Sequence, residues 1–221
     1  MKSETGVKMI AVKTLLLFVF LFVFGQHGFS FPAHAGNELI PVSGGASQPA
    51  GLEKTTFVSL EDFKRGVSGG NAGDIRGLYV QDVLALRVVK QPDGKPEYVS
   101  SVEGIVTQFG MAAGKGVTGL LAHNYASGRH FFNLTEGQVV NVSYGDGSEK
   151  AYIINRIMRF QALQPDSPTS DFINLETNER LSAERLFTQV YTGSHRVTLQ
   201  TCIQQGAEDA WGRLFVIAEP I

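Results

Sequence analysis

Cysteine is almost absent from this chain: Cys202 is the only one. An internal disulfide is thereby excluded. So is a closed zinc site, because one Cys and scattered His cannot supply ligands at zinc spacing. Charge is also sparse, with 18% of residues charged and a formal net charge of −2. No basic block is present, which argues against a nucleic-acid backbone as partner. The chain has no internal repeat, and no low-complexity tract beyond one short Gly/Pro/Ser-rich segment. Its 221 residues suit one domain with an appendage rather than two domains.

What is present is apolar and turn-rich. Hydrophobic residues make up 43% of the chain, enough for a core, and 25 glycines accompany short runs of Val, Ile, Thr and Phe. The first 35 residues read as an export signal. Lys2, Lys8 and Lys13 flank the apolar run Leu15 to Phe24, and Ala33-His34-Ala35 supplies a small-x-small cleavage pattern. The run is shorter than the ~20 residues of a membrane span, although an uncleaved anchor is the alternative reading. Residues 36–57 include the stretch GNELIPVSGGASQPA and read as a flexible linker, leaving 58–221 as the folded body. The body is expected outside the cytoplasm, secreted or held at the cell surface. In an oxidising compartment a lone cysteine marks a reactive thiol, an intermolecular bridge or a small buried hydrophobe.

The body reads as mostly β. A short helix is expected after Ser59 as cap, strands over 78–89 and 98–109, and a tight turn at Gln91-Pro92-Asp93-Gly94. A hairpin runs from Gln138–Tyr144 through Gly145-Asp146-Gly147 into Ala151–Phe160. Leu181–Phe187 is the best helix, capped by Ser182. Two closing strands, 196–203 and 213–218, flank an expected loop at 204–211. About eight strands with one or two short helices favour a closed barrel, which leaves no edge exposed.

Cys202 ends a strand in which Thr198, Gln200 and Cys202 share one face, while the more apolar Val197, Leu199 and Thr201 share the other. The thiol is thus expected away from the core. A cysteine nucleophile needs a proton carrier, and the body offers His123, His130 and His195. His195 starts the Cys202 strand, so seven residues of strand would hold it ~23 Å away. Arg213 opens the next strand and faces Cys202 if the two pair antiparallel, where it could serve a developing oxyanion. Other signals are weaker. Asn133-Leu134-Thr135 and Asn141-Val142-Ser143 fit a short glycosylation pattern, and Asp166, Asp171 and Glu176 read as a solvated loop before a calcium site.

The string Thr198-Leu199-Gln200-Thr201-Cys202 resembles the Thr-Leu-x-Thr-Cys motif of sortases. Leu121-Ala122-His123-Asn124 is similar to the histidine segment of that family, and Trp211-Gly212-Arg213-Leu214 to its arginine segment. The resemblance spans roughly residues 78 to 218. It implies an eight-stranded barrel and a transpeptidase that needs no cofactor. Cys202 would attack a Thr carbonyl in a sorting signal and form a thioacyl-enzyme. His123 would protonate the leaving amine and deprotonate the incoming one, and Arg213 would hydrogen-bond the substrate or its oxyanion. Thr198 and Thr201 of the same string are the candidates for touching substrate. The implied partners are an exported protein or peptide with a sorting motif, and an amine acceptor on a cell-wall precursor or another protein. Two other readings stand beside it: a secreted cysteine peptidase that hydrolyses, and a non-catalytic barrel that binds a peptide or cell-wall component.

Overall fold

The structure is a computed structural model, and it describes residues 58–221. The export segment and linker expected over 1–57 lie outside the described residues. None of the described helices is long and apolar enough to cross a membrane.

Ten strands form one sheet in the order β10-β9-β4-β3-β2-β1-β5-β6-β7-β8. They run over Ile75–Val80 (β1), Leu84–Lys90 (β2), Ile105–Gln108 (β3), Thr118–Leu121 (β4), Val139–Tyr144 (β5) and Glu149–Ala162 (β6). Phe172–Asn174 (β7), Arg180–Leu181 (β8), Val197–Gln205 (β9) and Glu208–Pro220 (β10) complete the set. A further antiparallel ladder joins β10 to β6 and closes the first eight strands of that order into a ring. The closed eight-stranded barrel expected from the sequence is therefore present, with β7 and β8 as an extension. β6 makes this possible by its length. Along one edge its first half pairs with β5 and its last residues with β7, while its other edge carries β10.

Alternation sorts the side chains into two cores. Inward-facing Leu78, Leu120, Val142, Leu199, Leu214 and Val216 fill the barrel. Outward-facing Leu121, Phe160, Phe215 and Ile217 are covered by helix α3, Ala183–Tyr191, through Leu186, Val190 and Tyr191. Edge-to-face ring contacts stiffen this second layer: Tyr191 lies 5.1 Å from Phe109 and 6.2 Å from Phe215. The 3₁₀ helix η1, Ser127–Asn133, sends Phe131 into the barrel core.

The local reasons are legible in the sequence. Ser182 caps α3 by accepting from the Arg185 amide at 3.3 Å, and Ser59 caps α1, Leu60–Val67, by accepting from Asp62 at 3.1 Å, whereas the single-turn α2, Gly110–Ala113, has no side-chain cap. α1 lays Phe63 over Gly77 of β1, where a Cβ would come within 2.7 Å of the ring. The hairpin expected around Gly145–Gly147 is β5–β6.

Three expectations are corrected. The strand expected over 98–109 shrinks to Ile105–Gln108. β2 and β3 pair in parallel and need a crossover, supplied by residues 91–104. Gln91 holds that crossover, donating to the Pro96 and Tyr98 carbonyls at 2.7 and 3.1 Å and accepting from Gly110 at 2.9 Å. The loop expected at 204–211 is mostly strand, because β9 and β10 run to a tight turn between Gln205 and Glu208. The solvated loop expected around Asp166, Asp171 and Glu176 contains β7, and its Asp171 pairs with Arg180 at 2.7 Å.

Candidate active site

β4 and β9 pair in parallel with Leu121 level with Gln200, and the Ala122 amide continues the ladder to the Gln200 carbonyl at 3.1 Å. His123 lies two residues past Leu121, beyond the end of β4 and on the side where β9 continues to Cys202. On the other side β9 and β10 pair antiparallel with Cys202 directly opposite Arg213, and Arg213 is opposite Phe160 of β6. Paired residues on one face hold their Cβ atoms ~5 Å apart. Cys202, Arg213 and Phe160 thus form one row across three neighbouring strands, on the outward face of the barrel, and His123 lies in the turn that follows β4. The three sequence-predicted catalytic candidates come together.

Their surroundings differ. Cys202 is 2% exposed and Arg213 1% exposed, while His123 is half-buried. Burial pushes the Cys202 thiol up from its ordinary value, Arg213 pulls it down, and Asp209 and Glu208 push it up. Burial lowers His123 below the ordinary imidazole value, opposed by a hydrogen bond to the Val99 backbone. The resting pair is thus held toward thiol and neutral imidazole. Val99 belongs to the crossover 91–104 and packs against the second core, so that loop reaches the histidine.

Arg213 is held by its own strand. Its Nη1 donates to the Ala210 carbonyl at 2.7 Å and to Gly212 at 2.9 Å. Ala210 lies in an irregular stretch where β10 advances from Glu208 to Gly212 while β9 steps only from Gln205 to Ile203. Such bulges re-aim side chains at sheet ends.

The remaining histidines go elsewhere. His130 bonds Glu103 at 2.9 Å, and His195 bonds the Tyr152 hydroxyl at 2.8 Å and the Gly116 carbonyl at 2.9 Å. The two threonines expected to touch substrate are both buried. Thr198 donates to the Val190 carbonyl at 2.8 Å, and Gln200 accepts from Tyr191 at 2.6 Å. The polar face of β9 is therefore roofed by α3 up to Gln200. Thr201 faces inward against Gly128 of η1. Both are buried: the Thr198 hydroxyl ties β9 to α3, and the Thr201 hydroxyl is packed against η1 without a hydrogen bond.

Sequence reasoning gave no role to the turn after His123. Tyr125 stacks on the His123 ring, centroids 4.8 Å apart and planes 15° from parallel, yet is 57% exposed. Burial and the charge of Cys202 both raise its hydroxyl pKa. Asn124 donates to the Asp209 carbonyl at 3.0 Å. Among the described residues no group of His, Cys, Asp and Glu gathers as a metal site.

The chain is similar to solved sortase structures. Sortase A of Listeria monocytogenes matches at 15% identity and TM-score 0.44, covering 68% of this chain and 88% of that one. A Clostridium perfringens sortase D5 transpeptidase matches at 16% identity and TM-score 0.44, covering 74% and 89%. Sortase C-1 from Actinomyces oris matches at 15% identity and TM-score 0.45, covering 77% and 84%. No family model and no curated protein matches the chain.

Proposed function

We propose that this protein is a sortase-like cysteine transpeptidase working outside the cytoplasm, with 58–221 as its catalytic domain. The observation that carries the reading is the direct pairing of Cys202 with Arg213, with His123 in the turn that follows the strand on the other side of β9. A buried arginine beside a buried thiol is costly to assemble for packing alone. Nucleophile, proton carrier and oxyanion donor are the three parts that acyl transfer from a peptide requires.

In this mechanism the Cys202 Sγ attacks the scissile carbonyl, and the thiol proton passes to His123. The guanidinium of Arg213 stabilises the charge developing on the carbonyl oxygen. His123 then gives its proton to the departing amine as the C–N bond breaks, leaving a thioester on Cys202. An incoming amine, deprotonated by His123, attacks that thioester and frees the thiol. Water in the amine's place makes the same site a peptidase. Raised thiol and lowered imidazole values keep the charged pair scarce at rest, which favours reaction only when substrate is seated.

The deciding experiment is intact-mass spectrometry of residues 36–221 incubated with a Leu-Pro-x-Thr-Gly peptide library, with and without an added amine. An acyl adduct on Cys202 that is absent in His123→Ala supports the reading. Its transfer to the amine, against release to water, separates transpeptidation from hydrolysis. No adduct, with the thiol still open to a small alkylating agent, rejects that substrate class. Unreactive thiol toward both rejects the enzyme.

A further inference from the structure

β4, which leads into the His123 turn, and β10, which carries Arg213, flank β9 on opposite sides and are far apart in sequence. Something must set the spacing between His123 and Arg213, because a misplacement of ~1 Å is enough to cost ~100-fold in rate. Asn124 touches both sides. Its Nδ2 donates to the Asp209 carbonyl at 3.0 Å, and its Oδ1 accepts from the Tyr125 amide at 3.1 Å. Tyr125 in turn stacks on His123. The turn is tightened by the Ala126 and Gly128 amides, which donate to the His123 carbonyl at 3.0 and 2.9 Å.

Asp209 is the residue next to Ala210, whose carbonyl receives Arg213 Nη1 at 2.7 Å. Two consecutive carbonyls of the β10 bulge are therefore used in two directions: one is gripped from the His123 turn, and the next grips Arg213. The amide of Asn124 suits this span. It carries one donor group and one acceptor on a planar head, and reversing it would set an oxygen against a carbonyl. Aspartate lacks the donor, and serine is too short to reach.

We propose that Asn124 is a positioning residue that clamps the His123–Tyr125 turn to the bulge carrying Arg213, fixing the proton carrier and the arginine about the thiol. This rests on the acyl-transfer reading for its meaning, and on the hydrogen bonds alone for its geometry. Breaking the clamp has two consequences of opposite sign. Peptide acylation slows, because His123 and Arg213 lose their mutual register. Attack on Cys202 by a small alkylating agent quickens, because the turn that shields the buried thiol swings free.

The test uses the full chain in four forms: wild type, Asn124→Ala, Asn124→Ser and Tyr152→Phe. Tyr152→Phe removes the hydroxyl bond to His195, outside the clamp, and so controls for general loosening. Acylation is followed by intact mass and alkylation by iodoacetamide kinetics, with urea midpoints recorded for every form. Both Asn124 variants are expected to acylate about tenfold slower or worse while alkylating several-fold faster, and Tyr152→Phe to do neither. An Asn124→Ser protein that matches wild type, or Asn124 variants that match Tyr152→Phe in both rates, overturns the proposal. Failure of wild type to acylate rejects the enzyme reading, whereas the alkylation rates still decide the clamp.

Discussion

Gly128 of η1 packs so tightly against Thr201 of β9 that no side chain fits between them. A Cβ at this position would also sit 2.7 Å from the His123 carbonyl and 2.8 Å from that of Ala122. Backbone atoms cannot rotate away, so the strand end that carries His123 must move. Gly128→Ala should lose about 1–3 kcal/mol of stability and about 10- to 100-fold in kcat. Urea denaturation beside steady-state kinetics checks both, and a stable, fully active variant would show that the strand end has slack.

Cys202→Ala should abolish turnover and leave the fold standing. The change removes one buried sulfur from a closed sheet, a loss of about 1 kcal/mol. Residual turnover above background would assign the chemistry to another group, and an unfolded variant would make the thiol a structural element.

Arg213→Lys should be poorly tolerated although the charge is kept. The guanidinium fork reaches the Ala210 and Gly212 carbonyls from one planar head while lying beside the thiol. An ammonium is a point charge and cannot copy that arrangement. A drop in kcat of about 100-fold or more is expected for a lost oxyanion donor. Rates near wild type would remove Arg213 from the transition state.

The pH profile of kcat/KM should be broad. His123 is lowered below the ordinary value of 6.5, and Cys202 is raised above the ordinary value of 9.0. The acid limb therefore falls below the first value and the alkaline limb above the second, the apparent values belonging to the pair. A bell narrower than this interval would contradict the burial of both groups.

Stability should fall on the acid side for the same reason. Once unfolded, His123 takes up a proton near 6.5, whereas the folded protein resists it until lower pH. The stabilisation is complete above 6.5 and drains away as pH drops toward the folded value. Melting curves of wild type and His123→Gln across this range should converge as the pH falls. Parallel curves would mean that His123 is no harder to protonate folded than unfolded.

How far the sequence carries can be read residue by residue. Ser59 and Ser182 signalled their helices, and Gly145–Gly147 its hairpin, because caps and turns are local chemistry. The Cys202–Arg213 pairing followed from two adjacent strands and a short connection. Alternation correctly set Thr198, Gln200 and Cys202 on the side away from the barrel interior. It could not reveal that α3 roofs that side, because the Thr198–Val190 bond depends on how the chain folds back. Nor could it show the Asn124–Asp209 contact, whose partners lie 85 residues apart. Residues 98–104 of the crossover read as strand because their Val and Ser resemble strand composition, and only the parallel pairing of β2 with β3 demands a detour.

The ring of strands has a bearing on when the thiol becomes dangerous. β10 closes the barrel between β9 and β6, and the same strand brings Arg213 to the sulfur. A polypeptide halted before Glu208 owns the cysteine and the histidine but has an open ring, two bare edges and no guanidinium. Closure and arming are thus one event. An emerging or truncated chain therefore has no Arg213 opposite Cys202, and the proposed acyl transfer waits until the last strand has paired.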